Sequence, residues 1–283
     1  MKSVRLLLSI LLTSVGFIAH AQNYYLIPEK FFLQKGDKLD LHIIATDDFT
    51  KQSDVKFQQS NTQSVFMYEG KKKFDLNGVV TGADSVVSYP IKEDGLTLIS
   101  MTTKPAANEM SRSKFLRSLD ADDPDNIADK VKNSNQLFYK ERYTFYMKTL
   151  VQVGEPGGKA FDKPLNEDYE IILKDNPYKF NYGDDISAQI NFKGKPLAAA
   201  TVMLYVKTAG GNVYPQKLSS DNTGMIYFKL SREGVYLLTS RHSAQIKDKD
   251  ADFESWRTSY VFAFSSNNEM PNTYREFGFG NKH

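Results

Sequence analysis

The richest run of ligand-type side chains is residues 242–254, HSAQIKDKDADFE, in which His242 precedes Asp248, Asp250, Asp252 and Glu254. The acids are spaced by two, so an extended chain would set them on one side at intervals of about 7 Å. Carboxylates beside an imidazole are competent ligands for divalent cations. The calcium-loop template is not met, because Phe253 stands where the turn glycine belongs and Ser259 where the bidentate Glu belongs. Two readings stand. The segment is a metal-binding set led by His242, Asp252 and Glu254, with His42 on an early strand as a spare imidazole. Alternatively it is a solvated acidic loop interleaved with Lys247 and Lys249, the ordinary fate of a charge run. A lone His at a position such as 42 is ordinarily structural.

Other apparent chemistry dissolves on inspection. Ser111-Arg-Ser-Lys114, Ser220-Asp-Asn222 and Lys207-Thr-Ala209 echo the three motifs of penicillin-recognising serine enzymes. The third lacks its glycine and precedes the second, and another S-x-x-K occurs at 53–56, so the set is coincidental. Gly157-Gly-Lys159 lacks the upstream Gly and following Ser/Thr of a phosphate-binding loop. Asp120, Asp122, Asp123 and Asp125 are interrupted by Pro124 and read as a helix terminus or surface turn. With no nucleophile elbow and no two histidines close in sequence, an enzyme is not expected. The methionines are scattered and read as core filling, not as copper clusters.

The elements that would position these groups are mostly strands. From residue 24 the dominant period is two, with β-branched and aromatic runs at 24–33, 39–45, 64–68, 85–89 and 96–102. Phe115, Leu116 and Leu119 behind Ser111 and Ser113 predict a short helix, and Ile127 with Val131 a second. Residues 143–153 predict a long strand with Tyr143, Phe145, Met147, Thr149 and Val151 on one face. Residues 154–164, GEPGGKAFDKP, form the linker candidate. Beyond it come runs at 169–173, 186–192, 200–207, 214–218, 225–230, 235–240 and 258–264, about seven strands in roughly 100 residues. The expected fold is mainly β: two β-sandwich-like domains, 22–156 and 165–265, the second immunoglobulin-like or transthyretin-like, with one or two short helices in the first. Residues 266–283 read as a tail.

Composition bounds the setting. The chain has 283 residues, 41% hydrophobic and 25% charged, enough for a packed core. Lys2 and Arg5, an apolar stretch over 6–18, and Ala19 and Ala21 around His20 predict a signal peptide at 1–21, cleaved after Ala21. About 13 apolar residues fall short of the roughly 20 a membrane span needs. No other run is as long, so no membrane span is expected in the mature chain. Removing Lys2 and Arg5 leaves 34 bases against 34 acids, and no basic tract suggests nucleic acid as a partner. The absence of cysteine excludes a lipoprotein signal, disulfides and thiolate metal sites. The expected compartment is a bacterial periplasm.

Several segments, in order, resemble a family of periplasmic proteins associated with nickel and cobalt uptake, long catalogued as a domain of unknown function. They are Gln22-Asn-Tyr-Tyr-Leu-Ile-Pro28, Lys140-Glu-Arg-Tyr143 running into Lys148-Thr-Leu-Val-Gln-Val-Gly154, Asn176-Pro-Tyr178 with Tyr182-Gly-Asp184, Gly194-Lys-Pro-Leu197, Asn222-Thr-Gly224 and the run 242–264. The resemblance implies a two-part β protein that binds or hands over transition-metal ions beside a membrane transporter, nickel or cobalt being the implied ion. One departure stands out. The family typically starts with a His, an Asp and an aromatic pair, whereas Gln22 and Asn23 precede Tyr24 and Tyr25 here. The runner-up role is a structural or interaction module for an outer-membrane receptor, suggested by the sandwich pattern and by Tyr274, Phe277 and Phe279 in the tail.

Overall fold

The computed structural model describes residues 23–50, 53–77, 79, 87–119, 126–270 and 273–279. The expected signal peptide, the acids at 120–125 and His283 lie outside the described residues. In chain order the elements are β1 (Asn23–Pro28), β2 (Phe32–Leu33), β3 (Lys38–Thr46), β4 (Ser53–Val55), β5 (Thr62–Glu69), β6 (Lys72–Asp75), β7 (Val87–Pro90), β8 (Gly95–Thr103) and β9 (Ala106–Ser111). Helices α1 (Arg112–Ser118) and α2 (Ile127–Lys132) follow, then β10 (Phe138–Val153), β11 (Tyr169–Leu173), β12 (Asp185–Phe192), β13 (Lys195–Pro196) and β14 (Thr201–Lys207). The chain continues with β15 (Val213–Ser219), β16 (Met225–Lys229), β17 (Gly234–Gln245), β18 (Phe253–Phe264) and α3 (Thr273–Glu276).

Period-two alternation decides the layers. Along β10, Phe145, Met147, Val151 and Val153 enter one core, while Tyr146 and Leu150 enter another. The same split separates Val235 and Leu237 from Tyr236 and Leu238 in β17, and Val261 and Ala263 from Tyr260, Phe262 and Phe264 in β18. Strands apolar on both faces must be covered on both faces. They form the middle of a ten-stranded sheet ordered β15-β14-β17-β18-β10-β8-β5-β6, with β2 and β9 also pairing with β10. A small sheet centred on β3, joined by β1, β4 and β7, covers one face, and a second centred on β12, joined by β11, β13 and β16, covers the other. The fold is therefore mainly β and built of sandwiches.

The two sandwiches share the central sheet, a feature that local periodicity does not reveal. Strand β10 pairs in parallel with β18, from Glu141 opposite Phe253 to Thr149 opposite Val261, so backbone bonds join the segments on either side of 154–164. The connecting stretch is itself tied down: the Leu96 amide donates to the Gly157 carbonyl at 2.8 Å, and the Asn176 side-chain amide to the Pro156 carbonyl at 3.1 Å.

Both short helices form as expected. The Ser111 hydroxyl accepts from the Lys114 amide at 3.4 Å and caps α1. Phe115 of α1, with Ile127 and Val131 of α2, closes a small core over Tyr139 and Phe253. Residues 266–270 and 273–279, expected as tail, dock instead. Tyr274, Phe277 and Phe279 are buried in the first core, with Tyr274 stacked on His42 at 3.8 Å and Phe279 lying 5.3 Å from Phe49. Burying each such ring contributes roughly 1.5–3 kcal/mol, enough to hold a short segment in place.

Candidate functional site

On the face shared with the β12 sheet, four neighbouring strands leave a cleft of about 360 Å³. Its floor is laid by alternate residues: Ser64, Phe66 and Tyr68 of β5, Ser100 and Thr102 of β8, Thr144 and Tyr146 of β10, and Glu254 and Trp256 of β18. Residues 165–168, just before β11, form one wall. Such a site needs no loop to shape its floor, because the pleat points every second side chain the same way.

Glu167 is the unusual member. Its Oε1 accepts from the Thr102 hydroxyl at 3.3 Å, while its buried Oε2 has no hydrogen-bond partner among the described residues. The nearest cation is the wholly buried Lys148 ammonium, 3.8 Å from Oε2. That ammonium also donates to Glu170 Oε1 at 2.5 Å and to the Ile171 carbonyl at 3.2 Å, so it is shared between the two carboxylates. Glu170 Oε1 also accepts the Leu165 amide at 2.6 Å, which anchors the wall. Burial pushes the Glu167 carboxyl up to about 7; Lys148 opposes the rise and the negative charge of Glu170 adds to it. The Tyr68 hydroxyl is raised by burial and then by Glu167, and Tyr146 by burial and then by Asp168, Glu167 and Glu254. The cleft is thus an acceptor-rich recess with hydroxyl and aromatic walls.

The residues singled out from sequence fall elsewhere. Strands β17 and β18 are longer than the expected 235–240 and 258–264, and place His242 opposite Trp256. The His242 ring lies 4.3 Å from Phe192, 5.8 Å from Trp256 at 28°, and 6.2 Å from Tyr169. Residues 246–252 connect the strands outside either one, with bends at 249, 250 and 252, so the strand alternation that would line up the acids is broken. Arg142 gathers two of them, its Nε 3.2 Å from Glu254 and its terminal nitrogen 2.8 Å from Asp248. The Asp252 carboxylate accepts the Lys140 amide at 2.7 Å. His42 lies across the central sheet in the first sandwich, 3.1 Å from Glu29 and stacked under Tyr274.

Among the described residues no group of three or more His, Asp or Glu could hold a metal ion. An ion at residues 242–254 would have to displace Arg142 from two carboxylates and the Lys140 amide from the third, so the set does not fit one as it stands. Glu254 alone of the four also lines the cleft. The sequence reading missed Glu167, Lys148 and Glu170. A signal existed for Lys148: it falls on the inward face of β10 between Tyr146 and Leu150, where a cation demands a buried partner.

A second buried charge cluster lies on the opposite face. Glu141, 1% exposed, is 2.8 Å from Arg241 and 3.3 Å from Arg257. Burial would raise its carboxyl, but the two guanidiniums and the Ser255 hydroxyl outweigh that and hold it below the usual range. The Arg241 guanidinium also donates to the Ser118 carbonyl, which pins α1 to the sheet.

A central sheet covered on both faces, with a polar recess in one of them, defines a β-sandwich protein with a preformed cleft. The model of the family described as Domain of unknown function (DUF4198) matches residues 19–244, and the chain belongs to that family. Among curated proteins, none matches this sequence. Among solved structures, the chain is similar to trypsin-activated alpha-2-macroglobulin from Escherichia coli at 9% identity and a TM-score of 0.20, over 86% of this chain and 16% of that one. It is also similar to the D0–D1 domain of Intimin at 11% identity and 0.22, over 86% and 98%, and to a marsupial T cell receptor at 10% identity and 0.21, over 84% and 73%. The chain thus spans about a sixth of the alpha-2-macroglobulin structure, and overlays this loose carry no argument about function.

Proposed function

We propose that this protein is an exported, noncatalytic binding or accessory protein, and that the cleft over β5, β8, β10 and β18 is where it meets its ligand. The observation that carries the reading is the cleft itself, a recess of about 360 Å³ floored by alternate residues of four strands and walled by residues 165–168. Export to a periplasm is supported by the basic, apolar and small-residue order of 1–21.

A role beside a nickel or cobalt transporter enters the proposal through the resemblance, as an accessory function in which residues 242–254 do not themselves cage the ion. Fractionation together with calorimetry using nickel, cobalt, iron and copper on the mature chain tests both parts. The expected result is periplasmic recovery and metal affinities unchanged in a folded His242→Ala, Asp252→Ala variant. Cytosolic recovery counts against export, and tight binding abolished in that variant restores the metal site. A second reading, an interaction module for an outer-membrane receptor, is favoured by β15, whose exposed edge offers unpaired backbone groups for strand addition. Co-purification of a receptor that is lost when β15 carries a second proline besides Pro215 would favour it.

A further inference from the structure

We infer that residues 165–168 are a pH-controlled latch, closed on the central sheet while Glu167 carries a proton and released, widening the cleft, when that proton leaves. The response of the wall stands on its own, and only its bearing on ligand access rests on the cleft reading above.

The first ground is a count of charges in a sealed place. Lys148, wholly buried, offers one ammonium to two carboxylates, 2.5 Å from Glu170 and 3.8 Å from Glu167. The Glu170 side chain is 3% exposed and also accepts the Leu165 amide at 2.6 Å, so it is fixed beside the ammonium. With a proton on Glu167 the site holds one cation and one anion. Loss of that proton sets a second anion beside the first, and a buried charge without full compensation is costly. The other ionisable groups around the recess do not supply the missing cation. Tyr68 of β5, Tyr146 of β10, Asp168 and Glu254 of β18 bring no positive charge. Lys73, Lys163 and Lys193 hold their ammonium groups over the rings of Phe66, Tyr68 and Trp256, at 3.5, 5.3 and 4.9 Å.

The second ground is the way the wall is held. Residues 165–168 lie outside any strand, and Asn166 turns them at φ +59°. Glu167 ties them to the central sheet, through the Thr102 hydroxyl of β8 at 3.3 Å and through Lys148 of β10. Leu165 adds apolar contact with the second core. The Lys193 amide donates to the Asp168 carbonyl at 2.7 Å, a bond to the turn after β12 and not to the central sheet. From Tyr169 onward β11 is paired with β12, which fixes one end of the wall as a hinge. Swinging Glu167 outward therefore hydrates its charge and gives up few contacts. Closed, its carboxyl titrates at about 7 against the usual 4.5, so opening is linked to proton release across that interval.

Hydrogen exchange on the full mature chain at pH 5, 6, 7 and 8, read by NMR at the Leu165 amide and corrected for the intrinsic rate, tests the latch. Protection should fall about 40-fold between pH 5 and pH 7 and only about twofold more by pH 8, while staying below that of the Tyr260 amide in β18. Glu167→Gln keeps the neutral shape and should abolish the fall, whereas the exposed Asp168→Asn should leave it in place. Thr102→Val removes a hydroxyl that favours the charged carboxyl, and should carry the levelling-off to higher pH. A wild-type change below about threefold, the same fall in Glu167→Gln, its loss in Asp168→Asn, or an unmoved levelling-off in Thr102→Val overturns the inference. Equal protection of Leu165 and Tyr260 at every pH also overturns it, because the response then belongs to global unfolding. The measurement is made without ligand, so a negative result strikes the latch and leaves the cleft reading standing.

Discussion

Glu167 and Lys148 are two ionisable residues whose cost is visible in the geometry. For Glu167 the carboxyl is pushed from 4.5 up to about 7, so between those values the folded chain holds a proton that the unfolded chain has released. Stability from this group is therefore present below pH 4.5 and falls as pH rises through about 7, with a slope of up to about 1.4 kcal/mol per pH unit. Lys148, Glu170, Asp168, Tyr68 and Tyr146 set the surrounding field. Urea unfolding at pH 5, 6, 7 and 8 should show that decline in the wild type, and Glu167→Gln should flatten it; an unchanged profile in the variant would disprove the assignment. Lys148→Met leaves Glu170, 2% exposed, without its cation, and should destabilise by about 3–5 kcal/mol in the same measurement. A loss below about 1 kcal/mol would mean that Glu170 finds another partner. Neither residue stood out as a site from sequence, because the partners of Lys148 lie 19 to 23 positions away across a linker.

At the scale of elements, turn chemistry and alternation were legible. The bend at 221–224 shows why. Asp221 accepts from the Thr223 amide at 2.8 Å, the Thr223 hydroxyl at 2.7 Å and the Met225 amide at 2.9 Å, bonds that hold its carboxyl below the usual range. Gly224 completes the bend at φ +75°, and a Cβ there would stand 2.7 Å from the Ile190 carbonyl oxygen. Gly224→Ala should cost about 2 kcal/mol or more in denaturant unfolding, and a cost near zero would show that the β12 strand can yield. Strand β11 falls on 169–173 and α1 begins beside its expected serine caps. The ends of β17 and β18 were not legible. His242, Ser243 and Glu254 look like loop residues, yet cross-strand pairing carries both strands through them, and that pairing is a property of two segments at once.

For the whole molecule, the shared sheet governs cooperativity. Residues 22–156 alone would expose the edge of β10 that β18 covers, and residues 165–283 alone would lose β10, β8 and β5 from the floor of both cores. Expressed separately, neither half should show a cooperative thermal transition by circular dichroism, whereas the intact chain should show one. A sharp transition in either half would establish a free-standing domain at that boundary.

Period-two patterning, turn residues and serine caps act over a few neighbouring positions, so the sequence by itself determined the β class, most strands and the two helices before β10. It also decided which side chains share a face of each strand, since that follows from the pleat. Tertiary structure decided the rest: that β10 lies beside β18, that the aromatic tail docks under His42, that Arg142 takes the acids expected to bind metal, and that Glu167 is left facing a cleft. Each of these depends on the burial and charge of groups more than 30 residues apart or on what surrounds a side chain in three dimensions, and no local period encodes that.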